Sequence, residues 1–138
     1  MQWDSTSKAG FCLENLEPWL PLSPGHETIN VNSEESNPES VLNCYKALLK
    51  LRKNTPALHS GSLNLLPPFL FGNILSYQRI YNEQIVQIWL NFSKKSTYVS
   101  EIGKNPKLLF STIVNTDSIK DTELHLEPYQ GVVLEIFP

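Results

Sequence analysis

Three carboxylates lie close together near the start of the chain: Asp4, Glu14 and Glu17. Paired carboxylates are what general acid and base catalysis requires, so Asp4 with Glu14 or Glu17 is the best local candidate for such a pair. All three fall in a stretch without helical or strand periodicity. Solvated loop charges, or Asp4 as a turn or cap residue, is the reading that such a stretch favours. His26-Glu27 and His125-x-Glu127 have the residue types of metal ligands. A strand puts His125 and Glu127 on one face, but Leu124 and Leu126 take the other, so the pair reads as the solvent side of a strand. Zinc wants three or four ligands, and no third is at hand, so no metal and no cofactor is expected. His59 stands alone at a helix-to-strand connection. The sequence has no GxSxG, no phosphate loop and no dinucleotide turn. Cys12 and Cys44 have no CxxC spacing and read as free thiols in a reducing, cytoplasmic setting. Asn91-Phe92-Ser93 fits a glycosylation sequon by chance, because Phe92 continues a strand pattern.

The totals narrow the class. The chain has 138 residues with 41% hydrophobic and 18% charged, enough for a real core and outside the range of disorder. Net charge is −3, with the eleven Lys and Arg spread out, which argues against nucleic acid. No apolar run approaches the roughly 20 residues of a membrane span. No basic and apolar leader opens the sequence, so no signal peptide is expected.

The elements that must position any site fall into three parts. Residues 1–37 read as coil, broken by Pro18, Pro21 and Pro24 yet rich in aromatic side chains. Asn37-Pro38-Glu39 reads as a helix start with Asn37 as N-cap. Val41, Leu42, Tyr45, Leu48, Leu49 and Arg52 follow at spacings of three and four, which predicts one amphipathic helix over 39–54, stopped by Thr55-Pro56. From there the period is two. Strands are expected at 63–66, 74–81, 85–92, 97–102, 107–114, 122–126 and 132–137, the second and third joined by a turn at Asn82-Glu83. Val86, Ile88, Leu90 and Phe92 are expected to face a core, with Trp89 as a structural residue. The fold class is mainly β: an antiparallel sandwich preceded by a long ordered loop and one helix. The expected domains are 1–56 and 57–138.

Met1-Gln2-Trp3-Asp4, Ala9-Gly10-Phe11, Pro18-Trp19-Leu20-Pro21 and Ile29-Asn30-Val31, in that order, followed by a helix ending in Leu51-Arg52-Lys53 and by Trp89-Leu90-Asn91-Phe92, resemble the C-terminal end of α-glucosidases. The group is that of oligo-1,6-glucosidase, maltase and trehalose-6-phosphate hydrolase, within the α-amylase superfamily. Agreement covers nearly the whole chain and weakens after Gly61. The resemblance implies that the coil is the loop after the last strand of a (β/α)8 barrel, lying over its catalytic face. The helix would be the last barrel helix, and the remainder the C-terminal sandwich.

The family's catalytic carboxylates come from barrel strands ahead of this motif, so the resemblance assigns no catalytic residue to this chain. It places Gln2, Trp3 and Asp4 at the mouth of the active site, where an indole can stack on a sugar. Trp3 and Trp19 can equally pin the loop to the barrel. The expected function is the C-terminal part of a glycosidase acting on α-glucosides in carbohydrate metabolism, inactive alone, with the missing barrel as partner. A truncated gene, a misassigned start or an excised piece would each give such a chain. Self-association through the uncovered helix face is expected with it. Two other classes fit the pattern: a stand-alone carbohydrate-binding module, and a non-catalytic interaction subunit.

Overall fold

The computed structural model describes residues 1–67, 73–100, 102–113 and 119–137. The chain forms two compact units, Met1–Leu49 and Lys50–Pro138. Among the described residues no helix is long and apolar enough to cross a membrane.

The second unit contains the sheets. Strands β1 (Ser62–Leu65), β2 (Ile74–Tyr81), β3 (Gln84–Asn91), β4 (Thr97–Val99), β5 (Pro106–Ser111), β6 (Ile119–Lys120), β7 (Glu123–Leu126) and β8 (Gly131–Ile136) follow in order. They pair antiparallel into a five-stranded sheet, β1-β2-β3-β8-β5, and a three-stranded sheet, β4-β7-β6. The β2–β3 hairpin turns at Asn82, whose φ of 51° is the left-handed conformation that asparagine tolerates. The short strand β6 was not expected. The strand expected over 97–102 ends at Val99, with Ile102 outside it, and the expected strand end at Val114 lies outside the described residues.

Trp89, Val99, Leu124, Leu126, Val132 and Leu134 belong to one buried cluster drawn from both sheets, which makes the architecture a sandwich. The other face of the large sheet is also covered. Val86, Ile88 and Val133 pack there with Ala57, flanked by Leu51, Leu58 and Phe110. The expectation of one core face for β3 is therefore corrected. A period of two separates the faces of a strand but does not say that one of them is wet. Trp89 is 2% exposed, and its indole N–H donates to Gln87 Oε1 at 3.2 Å, so the buried ring has its polar atom satisfied.

Helices differ from expectation at their ends. Helix α1 (Val31–Ser36) occupies part of the expected coil. Helix α2 (Val41–Asn54) starts two residues late. Its cap is Ser40 and not Asn37: the Ser40 hydroxyl accepts from the Asn43 N–H at 3.1 Å and the Ser40 carbonyl from the Cys44 N–H at 2.9 Å. Asn37 instead accepts from the Glu39 N–H within a turn. After Thr55, Pro56 opens a new helix, α3 (Pro56–Ser60), because proline is suited to a first helical position. The α3 N-terminus is tied to the sheet through Gln84, whose Oε1 accepts from the Ala57 N–H at 3.0 Å while its Nε2 donates to Glu135 at 2.7 Å. Gly61 ends α3 where a Cβ would lie 2.5 Å from the Ala57 carbonyl oxygen and 2.7 Å from that of Ile80, so only glycine fits.

Asn91 anchors the far end of β3. It is 2% exposed, donates from Nδ2 to the carbonyls of Lys95 and Glu127, each at 2.9 Å, and accepts from the Ser93 N–H at 2.9 Å. Its carboxamide is fully engaged, in keeping with a chance sequon. Asn91→Ala leaves several polar groups without partners and is expected to lower stability by about 3 kcal/mol. Exposed Lys94→Ala is the control, expected to stay within about 0.5 kcal/mol. Urea unfolding of the two variants measures the difference; equal midpoints would deny Asn91 this role.

Candidate functional site

The first unit is built differently. Of residues 1–49, only Ala9, Asn30 and Ser40 are buried. With so little apolar burial, backbone hydrogen bonds and short polar side chains give the loop its shape. The Trp3 N–H donates to the Ala9 carbonyl at 3.0 Å, and the Ala9 N–H to that of Thr6 at 2.9 Å, closing a tight loop over 3–9. Ala9 and Gly10 both take positive φ, 52° and 71°, as the chain leaves it. Lys8 reaches Glu17 at 2.6 Å, linking this loop to the Pro18-Trp19-Leu20-Pro21 segment.

Helix α1 fixes the other side. Asn30 Oδ1 accepts from the Ser33 N–H at 2.9 Å, and the Ser33 hydroxyl accepts from the Asn30 N–H at 3.1 Å, a capping box. Asn30 Nδ2 also donates to the His26 carbonyl at 2.9 Å. The next two donors of the helix point outward, as the first turn requires. The Val31 N–H goes to the Gln2 carbonyl at 2.8 Å and the Asn32 N–H to the Trp3 carbonyl at 3.1 Å. The Ile29-Asn30-Val31 motif thus holds the backbone of Gln2 and Trp3.

Asp4 is a turn residue, as the coil reading favoured. Its Oδ1 accepts from the Thr6 hydroxyl at 2.6 Å and the Thr6 N–H at 3.0 Å. The hydroxyl bond first, and the N–H bond second, hold the Asp4 carboxyl below its ordinary pKa. A general acid needs the opposite shift. At neutral pH Asp4 is an ionised acceptor, suited to a hydroxyl donor. Because the folded value is depressed, the Asp4 contribution to the turn is present above the ordinary carboxylate pKa. It is lost as pH falls through the depressed value.

Gln2 and Asp4 are half-buried, and Trp3 is 56% exposed. Trp19 is 92% exposed. Met1, Gln2, Phe11, Cys12 and the 17–23 segment line a groove of about 570 Å³. Of the expected partners for Asp4, Glu17 is engaged by Lys8 and Glu14 is exposed. His125 Nδ1 lies 3.6 Å from Glu127, under a stacked Tyr98 ring at 4.5 Å; His59 Nδ1 lies 2.6 Å from the Ser60 hydroxyl. Among the described residues no three His, Cys, Asp or Glu are placed to hold a metal ion. Thr6 and the Asn30 and Ser33 box were missed by the sequence reading. Asp-x-Thr and Asn-x-x-Ser were their signals.

The stripe expected on α2 lies open. Val41 is 71% exposed, Tyr45 65% and Leu49 61%. Within α2 it is Leu51, outside the stripe, that packs against the sheet cluster.

Comparison with known proteins agrees with this layout. The alpha-amylase catalytic-domain family matches residues 1–61. A probable oligo-1,6-glucosidase 2 from Bacillus subtilis is 35% identical over 136 residues, covering 96% of this chain and 24% of its own length. The oligo-1,6-glucosidase of Parageobacillus thermoglucosidasius is 32% identical, covering 99% and 24%. Among solved structures, isomaltulose synthase from Klebsiella sp. LX3 superposes with a TM-score of 0.84 at 28% identity, covering 97% of this chain and 24% of that one. The chain therefore spans about a quarter of the length of these relatives.

A loop held by hydrogen bonds open to water sits at the low end of local stability. Limited proteolysis with mass spectrometry is expected to cut first within residues 5–37, before any strand of the sandwich. First cuts between β2 and β8, with 5–37 intact, would show that the loop is the more resistant part.

Proposed function

Because the chain belongs, by homology over nearly its whole length, to the α-glucosidase group of the α-amylase superfamily, we propose that it is the loop, helix and sandwich end of a glycoside hydrolase acting on α-glucosides. In this reading residues 1–56 complete a (β/α)8 barrel and residues 57–138 form the sandwich that supports it. The carboxylates that break the glycosidic bond belong to the barrel, and this chain alone does not hydrolyse α-glucosides. The observation that carries the reading is the mismatch in the first unit. Its backbone is closely fixed, yet Trp3, Trp19, Val41, Tyr45 and Leu49 stay exposed. Val41, Tyr45 and Leu49 share one face of α2 by their spacing, and an exposed apolar face of this kind supports a surface that another body covers. Trp89 is buried, so the sandwich tryptophan is unavailable to a sugar, which weakens the binding-module alternative.

Gln2, Trp3 and Asp4 border the substrate in this reading. Its support is that one backbone segment presents an exposed indole beside an ionised carboxylate, the pairing that stacks on a pyranose and accepts from its hydroxyls. Without a barrel over it, the α2 stripe drives self-association. A cytoplasmic setting is part of the proposal, supported by the free thiols of Cys12 and Cys44.

A chimera tests this function. The chain replaces the matched quarter of the Bacillus subtilis relative, and hydrolysis of an aryl α-glucoside is assayed. The expected result is an active chimera and an inactive isolated chain. Asp4→Ala in the chimera should cost on the order of 10- to 100-fold in kcat/KM, the equivalent of a roughly 1.5–3 kcal/mol hydrogen bond to a charged group. A folded but inactive chimera would count against the reading, and an unchanged Asp4→Ala variant against the site.

A further inference from the structure

Two residues outside the Gln2, Trp3 and Asp4 trio lie against the side chains of Trp3 and Asp4. The Thr6 hydroxyl donates to Asp4 Oδ1 at 2.6 Å and itself accepts from the Gly10 N–H at 3.3 Å. The Gly10 donor occupies one side of the hydroxyl oxygen and leaves its proton for the carboxylate. Gly10 also makes room. A Cβ there would lie 2.8 Å from Trp3 Cβ and 2.9 Å from Asp4 Oδ2, inside the closest approach that real side chains show. Trp3 Cβ is joined directly to the backbone and cannot swing aside as the tip of a long side chain can. A substituent at position 10 must therefore displace the base of the indole side chain and the carboxylate together.

We propose that Thr6 and Gly10 are positioning residues of the glucoside-facing loop, setting the spacing between the Trp3 ring and the Asp4 carboxylate. The functional half rests on the reading that this trio borders the substrate; the geometric half stands without it. Gly25 supplies a matched control. Its φ is +87°, against +71° at Gly10, but nothing lies within 4 Å of a Cβ built on it. Alanine at either position meets left-handed backbone strain, and only at position 10 does it meet Trp3 and Asp4.

The test is an NMR pH titration of the full chain that follows the Asp4 carboxyl and the Trp3 indole N–H. His26, the charged group that also favours ionised Asp4, is kept in every variant. Wild type and Thr6→Ser, which keeps the hydroxyl, are expected to titrate Asp4 below the ordinary carboxylate value. Thr6→Val and Gly10→Ala are expected to raise that midpoint, and Gly10→Ala to shift the Trp3 indole resonance. Gly25→Ala should do neither. A purely structural role would destabilise both glycine variants and leave the Asp4 midpoint alone. The proposal is overturned if Thr6→Val titrates like wild type, or if Gly10→Ala and Gly25→Ala are indistinguishable. Should Gly10→Ala fail to fold, Thr6→Val against Thr6→Ser decides. A trio that proves not to touch glucoside in the chimera would leave these titration shifts in place, so the two claims fail separately.

Discussion

The first turn of a helix carries N–H donors that the helix cannot satisfy, and the shape of residues 1–49 depends on where those of α1 go. Asn30 and Ser33 take the cap, and the carbonyls of Gln2 and Trp3 take the next two donors. These bonds fix a segment 28 residues or more away in sequence without any apolar core to assist. The loop between them then carries its aromatic side chains outward. Hydrogen bonds of this kind contribute only about 0.5–1.5 kcal/mol each. They specify a conformation better than they stabilise one.

The sandwich rests on ordinary burial. Its inter-sheet cluster includes Trp89, Ile102, Leu124, Leu126 and Leu134, all at or below 2% exposure. At roughly 1.5–3 kcal/mol for each large side chain removed from water, such a cluster offsets the entropy of ordering short strands. Polar anchors sit at its margins. Gln84 joins α3 to the sheet, Asn91 closes the end of β3, and Gln130 accepts from the Glu127 N–H at 2.8 Å and donates to Ser111 at 2.9 Å. The two units thus follow different rules: one is organised by burial, the other by satisfied backbone.

That difference governs what could be read from the sequence. The β2–β3 hairpin was legible because a period of two on both sides of Asn82-Glu83 leaves few alternatives. The burial of both faces of β3 was not legible, since Gln87 and Asn91 look like solvent-side residues until their partners are known. The body of α2 was legible from its stripe. Its start was not, because Asn37 and Ser40 are equally good caps by type. Helix α1 has six residues and no apolar period, so only Asn30-x-x-Ser33 could announce it. The candidate site was reached through resemblance alone. A coil has no period that could say how Gln2, Trp3 and Asp4 are held, and their contacts are with Thr6, Ala9, Gly10 and α1.

In the proposed reading, the exposed α2 stripe is a surface that a barrel covers. Tyr45 and Leu49 stand one turn apart and are both largely exposed, so replacing both by glutamate tests it directly. The measurement is urea unfolding of the double variant, first in the dilute free chain and then in the chimera that supplies a barrel. A change within about 0.5 kcal/mol is expected in the free chain, as for exposed positions. In the chimera a loss of several kcal/mol is expected, as charge is forced into an apolar contact. A free chain destabilised by several kcal/mol, or a chimera that does not notice the change, would contradict it.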